Sequence, residues 1–150
     1  MAEARRLTPR PTDVSRPYWD ACGRGELVLQ QCGACRQFQF YPRLLCSHCG
    51  GRDLVWQKVS GEGRIASFTV VRRGVSAAYP SPYVVALIDL SEGPRMMSSV
   101  IDVEPKDPRL AVGAVVEVEF VEWVAQDGDT PTLEEDQVNR IPVFRLSHER

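Results

Sequence analysis

Two Cys-x-x-Cys pairs within residues 32–49, five β-rich runs after residue 59 and a change of charge sign between the two stretches predict a mainly β chain of two modules. The first module is a short helix with a four-cysteine ribbon, the second a five-stranded barrel. Residues 1–58 carry nine Lys and Arg against five Asp and Glu, whereas residues 59–150 carry nine against fifteen. Four of the five cysteines fall within 32–49, and the second stretch has none. The division is expected within Lys58–Gly63. That gives an extended arm over 1–14, the helix and ribbon over 15–58, and the barrel module over 59–150.

The arm, with Pro9, Pro11 and Arg5, Arg6 and Arg10, shows no periodicity. A helix is expected from Ser15 to Arg24, where Ser15 can cap, Pro17 suits the first turn and Gly25 can end it. Tyr18, Trp19 and Cys22 share one face by their spacing. A helix this short is marginal alone, so that face must pack on the core or on a partner chain. Glu26–Gln31 reads as a strand leading into Cys32-Gly33-Ala34-Cys35, and Cys46-Ser47-His48-Cys49 follows after ten residues. A Cys-x-x-Cys turn offers two thiolates to one ion, and Gly33 and Gly50-Gly51 allow the tight geometry that such knuckles need. A hairpin over Gln37–Leu44 would bring the knuckles together.

Cys32, Cys35, Cys46 and Cys49 thus form a four-thiolate set that matches the tetrahedral preference of Zn²⁺. A single rubredoxin-type iron is the chemical rival, and spacing does not separate the two. Either metal would be a structural staple, because four thiolates leave no open position. His48 is expected to face solvent, and Cys22, without a Cys-x-x-Cys partner, to be a small buried apolar residue.

Beyond Trp56 the pattern becomes alternating. Arg64–Arg72, Tyr83–Leu90, Arg95–Ile101, Ala114–Val121 and Pro142–Leu146 read as strands, with Val116, Val118 and Phe120 inward and Glu117 and Glu119 outward. Five strands without a long helix match the count of a Greek-key OB-fold barrel, with Asp107–Leu110 in the connection between the third and fourth. Two loops stand out: Gly74–Pro82, stiffened by Pro80 and Pro82, and the acidic stretch Ala125–Arg140. Arg72 and Arg73, just before the first loop, are candidates to meet a phosphate-bearing ligand. The plainer reading, and the favoured one, is two solvated arginines at a strand end.

Composition narrows the class. With 43% hydrophobic and 25% charged residues the chain is an ordinary globular one, neither disordered nor collagen-like. No apolar run approaches the roughly 20 residues of a membrane helix, and no apolar stretch follows the N-terminal arginines as in a signal peptide. The expected setting is cytoplasmic, with no membrane partner and with reduced cysteines. No phosphate-cradling glycine motif, Ser-His-Asp set or paired carboxylates occurs, and His48 and His148 are the only histidines. No catalytic residue is expected.

The combination resembles a known family. A Pro17-Tyr18-Trp19 helix, Gly25-Glu26-Leu27-Val28-Leu29, Cys32-x-x-Cys35, Tyr41-Pro42-Arg43 before Cys46-x-x-Cys49, Trp56, Ser60-Gly61-Glu62-Gly63, Pro82-Tyr83 and Val143-Phe144 carry the likeness. They are similar to the rubredoxin-like zinc-ribbon plus OB-fold family, long catalogued as a domain of unknown function, over roughly residues 15–147. The resemblance implies an accessory subunit, not catalytic alone, in a hetero-oligomer with a thiolase-superfamily enzyme acting on acyl-CoA thioesters. That partner, a thiolase, synthase or aldolase, would supply the nucleophile. This chain would dock it and help shape a channel for the shared CoA thioester, with structural Zn²⁺ of its own. On that view Arg72 and Arg73 are the nearest counter-charges for CoA phosphates.

Two other function classes compete. Zinc ribbons and OB barrels also bind single-stranded nucleic acid, but a phosphate-tracking surface should be basic, and the barrel module is acidic. A rubredoxin-like electron carrier would have little use for an appended barrel.

Overall fold

The computed structural model describes residues 6–123 and 138–148. Among the described residues there are one helix, α1 (Arg16–Gly23), and eight strands. Pro17 lies in the first turn of α1, and Gly25 follows its end at φ +76°. The Ser15 hydroxyl does not cap the helix. It accepts the Thr12 N–H at 2.9 Å and closes a turn ahead of the helix instead.

Three strands make the ribbon sheet: β1 (Val28–Cys32), β2 (Phe38–Gln39) and β3 (Leu54–Lys58), ordered β2-β1-β3 and antiparallel. The hairpin expected over Gln37–Leu44 is placed differently. β2 turns back onto β1 around the first knuckle, with Gln30 opposite Gln39, and residues 40–45 form an irregular turn. Pro42 has no N–H for a ladder, and the amide and carbonyl of Arg43 are bonded to the Gln30 side chain. β3 has no counterpart in the sequence reading.

The remaining strands are β4 (Glu62–Val71), β5 (Tyr83–Leu90), β6 (Arg95–Val100), β7 (Val115–Glu122) and β8 (Arg140–Leu146). They close a barrel in the order β4-β5-β6-β8-β7, and β7 returns to β4. All pairings are antiparallel except β6 with β8. This is the five-stranded barrel that alternation predicts, each strand within two residues of its expected bounds. Pro142 removes a ladder donor in β8, and Ser98 Oγ donates to its carbonyl at 2.8 Å. The connection from β6 to β7 holds no helix among its residues, only turns such as that closed by the Leu110 N–H on the Asp107 carbonyl.

The inward side chains of β5 alternate strictly, with Val84, Ala86, Ile88 and Leu90 buried. Val116 is fully buried, while Val118 and Phe120 pack at the edge of the core. Tyr18, Cys22, Leu27, Leu29 and Val59 join these barrel residues and Phe144 in one continuous apolar cluster. The first module is therefore not a separate body: α1 and the start of β1 plug the barrel. Each fully buried large aliphatic or aromatic side chain contributes roughly 1.5–3 kcal/mol.

Two further contacts fix the parts. The Val59 N–H donates to the Leu27 carbonyl, and the Ser60 N–H to Glu92 Oε1 at 2.7 Å, so the connection from β3 to β4 is held on both sides. The arm is latched across the barrel. The Arg6 guanidinium lies 4.8 Å from the Trp123 ring centre, the Leu7 N–H donates to Tyr79 Oη, and Trp123 Nε1 donates to the Leu7 carbonyl. Arg6 Nε also donates to the Ala78 carbonyl, tying the arm to the Gly74–Pro82 loop. Residues 125–137 of the acidic stretch lie outside the described residues. Among the described residues no helix is long and apolar enough to cross a membrane.

Candidate functional site

The first knuckle grows out of β1, whose last residue is Cys32, and the second follows the irregular turn at 40–45. In both knuckles the residue after the second cysteine adopts positive φ: Arg36 at +66° and Gly50 at +74°. Glycine takes this conformation without steric cost, and the first knuckle does so without one. Gly33 serves a different purpose from the expected one. A Cβ there would sit 2.0 Å from Asp53 Oδ2, so the position needs the absence of a side chain rather than unusual φ.

The four sulfurs converge. Cys32 Sγ lies 3.6 Å from Cys49 Sγ, Cys35 Sγ lies 3.6 Å from Cys46 Sγ, and all four fall within 4.8 Å of one another. A tetrahedron with metal–sulfur bonds of about 2.3 Å has edges of about 3.8 Å, so the set fits one such ion. The local backbone favours thiolate at two positions. N–H groups of Cys49 and His48 hold the Cys46 thiol down to about 6, and that of Cys35 lowers Cys32. At Cys35 the Gln37 N–H pulls the same way, but burial and the crowding sulfurs of Cys46, Cys49 and Cys32 push it up to about 12. A divalent cation placed among them removes that conflict by drawing all four into the thiolate form. Cys32, Cys35, Cys46 and Cys49 are the residues that would hold it, as a closed structural centre.

The His48 ring is exposed, with Nε2 3.1 Å from the Phe38 carbonyl, and it stands outside the sulfur set. Cys22 is fully buried, and burial raises its thiol to about 12, so it is an inert core residue. Tyr18 is only 3% exposed, stacked edge-on against Trp19 and tilted against Phe40. It faces the core of its own chain, which removes it from any docking surface. Trp19 is half-buried and lines an apolar groove of about 340 Å³ with Tyr41, Met97, Trp123 and Pro142. Arg72 and Arg73 sit exposed just past β4, and neither guanidinium makes an ion pair or side-chain hydrogen bond among the described residues.

Two residues of this region escaped sequence reasoning. Gln30 and Gln39, both buried, are bonded to each other at 2.7 Å and hold the backbone of the turn that leads to the second knuckle. Glutamine in a strand reads as a solvent-facing residue, and only the cross-strand register reveals the pair.

Residues 19–55 match the family model described as the rubredoxin-like zinc ribbon domain of ChsH2, and residues 56–121 match its C-terminal OB-fold domain. DUF35 domain-containing scaffold proteins share 36% identity in Pyrococcus furiosus and 31% in Methanothermobacter thermautotrophicus, the chain covering 72% and 82% of their lengths. The chain belongs to the DUF35 family. Another relative, from Thermomonospora curvata, carries the name "Probable enoyl-CoA hydratase alpha subunit". It is 31% identical over 93% of this chain, but the match spans only 40% of that longer protein. Among solved structures, a chain of the "Ltp2-ChsH2(DUF35) aldolase" aligns at a TM-score of 0.75 and 28% identity, covering 92% of this DUF35 chain and 98% of that one. A DUF35 protein from Sulfolobus solfataricus, at 13% identity and a TM-score of 0.58, shares the fold.

Proposed function

We propose that this DUF35 chain is a non-catalytic scaffold subunit of an acyl-CoA enzyme that forms or cleaves carbon–carbon bonds, with an aldolase or thiolase-type catalytic subunit as its partner. The observation that carries this reading is the end-to-end likeness to the chain of the Ltp2–ChsH2(DUF35) aldolase, which leaves almost none of either chain unmatched. The names of the scaffold relatives point the same way.

The chain's own chemistry is consistent with it. A bound Zn²⁺ supplies folding energy to the ribbon and nothing to turnover, because four thiolates close its coordination. Cys22, the remaining thiol, is buried and held protonated. The nucleophile and the proton transfers therefore belong to the partner subunit. Arg72 and Arg73 are the residues we assign to the CoA phosphates; their exposure, the absence of counter-ions among the described residues and the neighbouring loop held by the arm support the assignment.

The test is reconstitution. The tagged chain is purified from its host, the bound enzyme is identified by mass spectrometry, and both subunits are produced separately. Carbon–carbon cleavage of an acyl-CoA substrate is expected from the recombined pair and not from this chain alone. Turnover by the isolated chain overturns the reading. In the complex, R72A/R73A is expected to raise KM for the CoA substrate about 10- to 100-fold, the effect of removing one charge-assisted hydrogen bond to phosphate, with assembly intact.

A further inference from the structure

The turn between β2 and the second knuckle carries an apolar surface that the scaffold reading leaves unexplained. Tyr41 is 61% exposed, Leu44 77% and Leu45 43%. Scattered exposed hydrophobics are normal, so exposure alone decides nothing. What distinguishes this turn is how firmly it is held. The Arg43 N–H donates to Gln30 Oε1 at 2.8 Å, and Gln30 Nε2 donates to the Arg43 carbonyl at 2.9 Å. Gln39 Nε2 reaches the Leu45 carbonyl at 3.4 Å, and Gln39 Oε1 accepts the Ser47 N–H at 2.8 Å. A buried amide pair whose groups are all satisfied rigidifies what it binds. A slack loop would fold its leucines onto the ribbon; this one projects them.

The charge around the turn is equally specific. Arg36, Arg43 and Arg52, all exposed at the knuckle end of the ribbon, make no side-chain hydrogen bond or ion pair among the described residues. Arg24 and Lys58, at the barrel end, both pair with Glu26. An apolar turn with unmatched Arg43 within it, and Arg36 and Arg52 on the two knuckles, calls for a surface of the complementary kind.

We propose that the Tyr41–Leu45 turn is the docking element of this chain, and that its occupant is the catalytic subunit, which meets it with an apolar pocket rimmed by carboxylates. The proposal rests on the scaffold reading and says where that scaffold makes its contact. Gln30 and Gln39 are positioning residues: they touch no partner and fix the backbone that does.

The test uses the catalytic subunit identified by mass spectrometry and produced separately, with affinity measured by calorimetry at low and high salt. L44D/L45D is expected to weaken the complex about 100-fold or more, with metal content and melting temperature of the isolated chain unchanged. R36E/R43E/R52E is expected to weaken it about tenfold and to remove most of its salt dependence. Q39L, which frees the turn without exposing it, is expected to lower affinity while the metal stays bound. Val112→Asp, at an exposed valine on the barrel, is the control and keeps full affinity.

Wild-type affinity in L44D/L45D overturns the proposal, as does an equal loss in Val112→Asp. If the isolated chain sediments as a dimer that L44D/L45D splits, the surface belongs to a second copy and the proposal fails. Arginine variants that lose metal rather than affinity would mean that those cations balance the thiolate cluster, which overturns the carboxylate rim. A catalytic subunit that binds all variants alike sinks only the docking element. The absence of any carbon–carbon bond enzyme among the bound proteins sinks the scaffold reading with it.

Discussion

The ribbon and the barrel solve the same problem with opposite materials. The barrel closes a ladder of five strands around buried aliphatic side chains and Phe144, and its stability is spread over many residues. Beyond β1 the ribbon buries almost no apolar residue. Between Gly33 and Lys58 the buried positions are Gln39 and Cys46. Four convergent sulfurs and two amide side chains hold it instead. A module of this size cannot bury enough surface to offset its ordering entropy, so its stability is concentrated in few groups. Concentrated stability fails abruptly, and distributed stability erodes.

The sharpest way to break the contrast is to take the metal away. Structural zinc contributes on the order of 10 kcal/mol or more to such a module. Chelation, or Cys46→Ser, is expected to abolish hydrogen-exchange protection across residues 32–53 while β5, β6 and β8 keep theirs. Because Leu27 and Leu29 lie in the barrel's cluster, the barrel should also melt at a lower temperature without the metal. Full protection of the ribbon after chelation would refute the metal centre. Phe144→Ala, by contrast, should cost about 3–5 kcal/mol, read as a lower denaturation midpoint with bound metal retained. Gln39→Ala strands the Ser47 amide and removes one of the two donors to Gln30 Oε1, and is expected to cost about 1–3 kcal/mol, with the exchange effect confined to the ribbon.

Smaller effects sharpen the picture at the level of single groups. Burial holds Cys22 protonated up to about 12, so it should resist iodoacetamide in the folded protein near pH 8. Labelling at Cys22 before unfolding would show that the barrel plug opens. Least of all should matter the exposed Asp89–Arg95 pair, at 2.6 Å. The hydrogen bond from Arg95 holds the Asp89 carboxyl below its usual range. Its contribution is therefore present above the ordinary carboxylate value and lost as pH falls through the lowered one. Solvent screens both groups, so Arg95→Ala should lower the melting temperature at neutral pH only marginally, and that small difference should vanish as pH falls below the lowered carboxylate value.

The same contrast explains what could be read from the sequence. Period-two alternation is local, and the five barrel strands were legible because residues such as Val84, Ala86 and Ile88 declare their inward face without reference to any partner. The knuckles were legible because ligand spacing is local too. What escaped depends on distant positions. Gln30 and Gln39 matter through a cross-strand register, β3 exists because β1 is there to pair with, and the arm is ordered by Trp123, which stands 116 residues from Leu7. The alternatives left open for the helix face have the same source: spacing fixes a face, and only the barrel decides that Tyr18 is covered. Arg72 and Arg73 stand where the sequence put them, exposed at a strand end.

The doubly held connection at Val59 and Ser60 has a consequence for how such a subunit measures its surroundings. With one amide tied to Leu27 and the next to Glu92, the connection between ribbon and barrel is anchored on both sides. A connection anchored in this way resists change in the separation between the Tyr41–Leu45 turn and the Arg72–Arg73 corner, like the gap of a calliper. A partner that used both, as proposed above, would have to match that spacing, so discrimination among similar enzymes would reside in the distance rather than in either contact. Lengthening the connection by a residue or two would pull the Val59 and Ser60 amides away from Leu27 and Glu92, and would change with them the spacing that a partner would read.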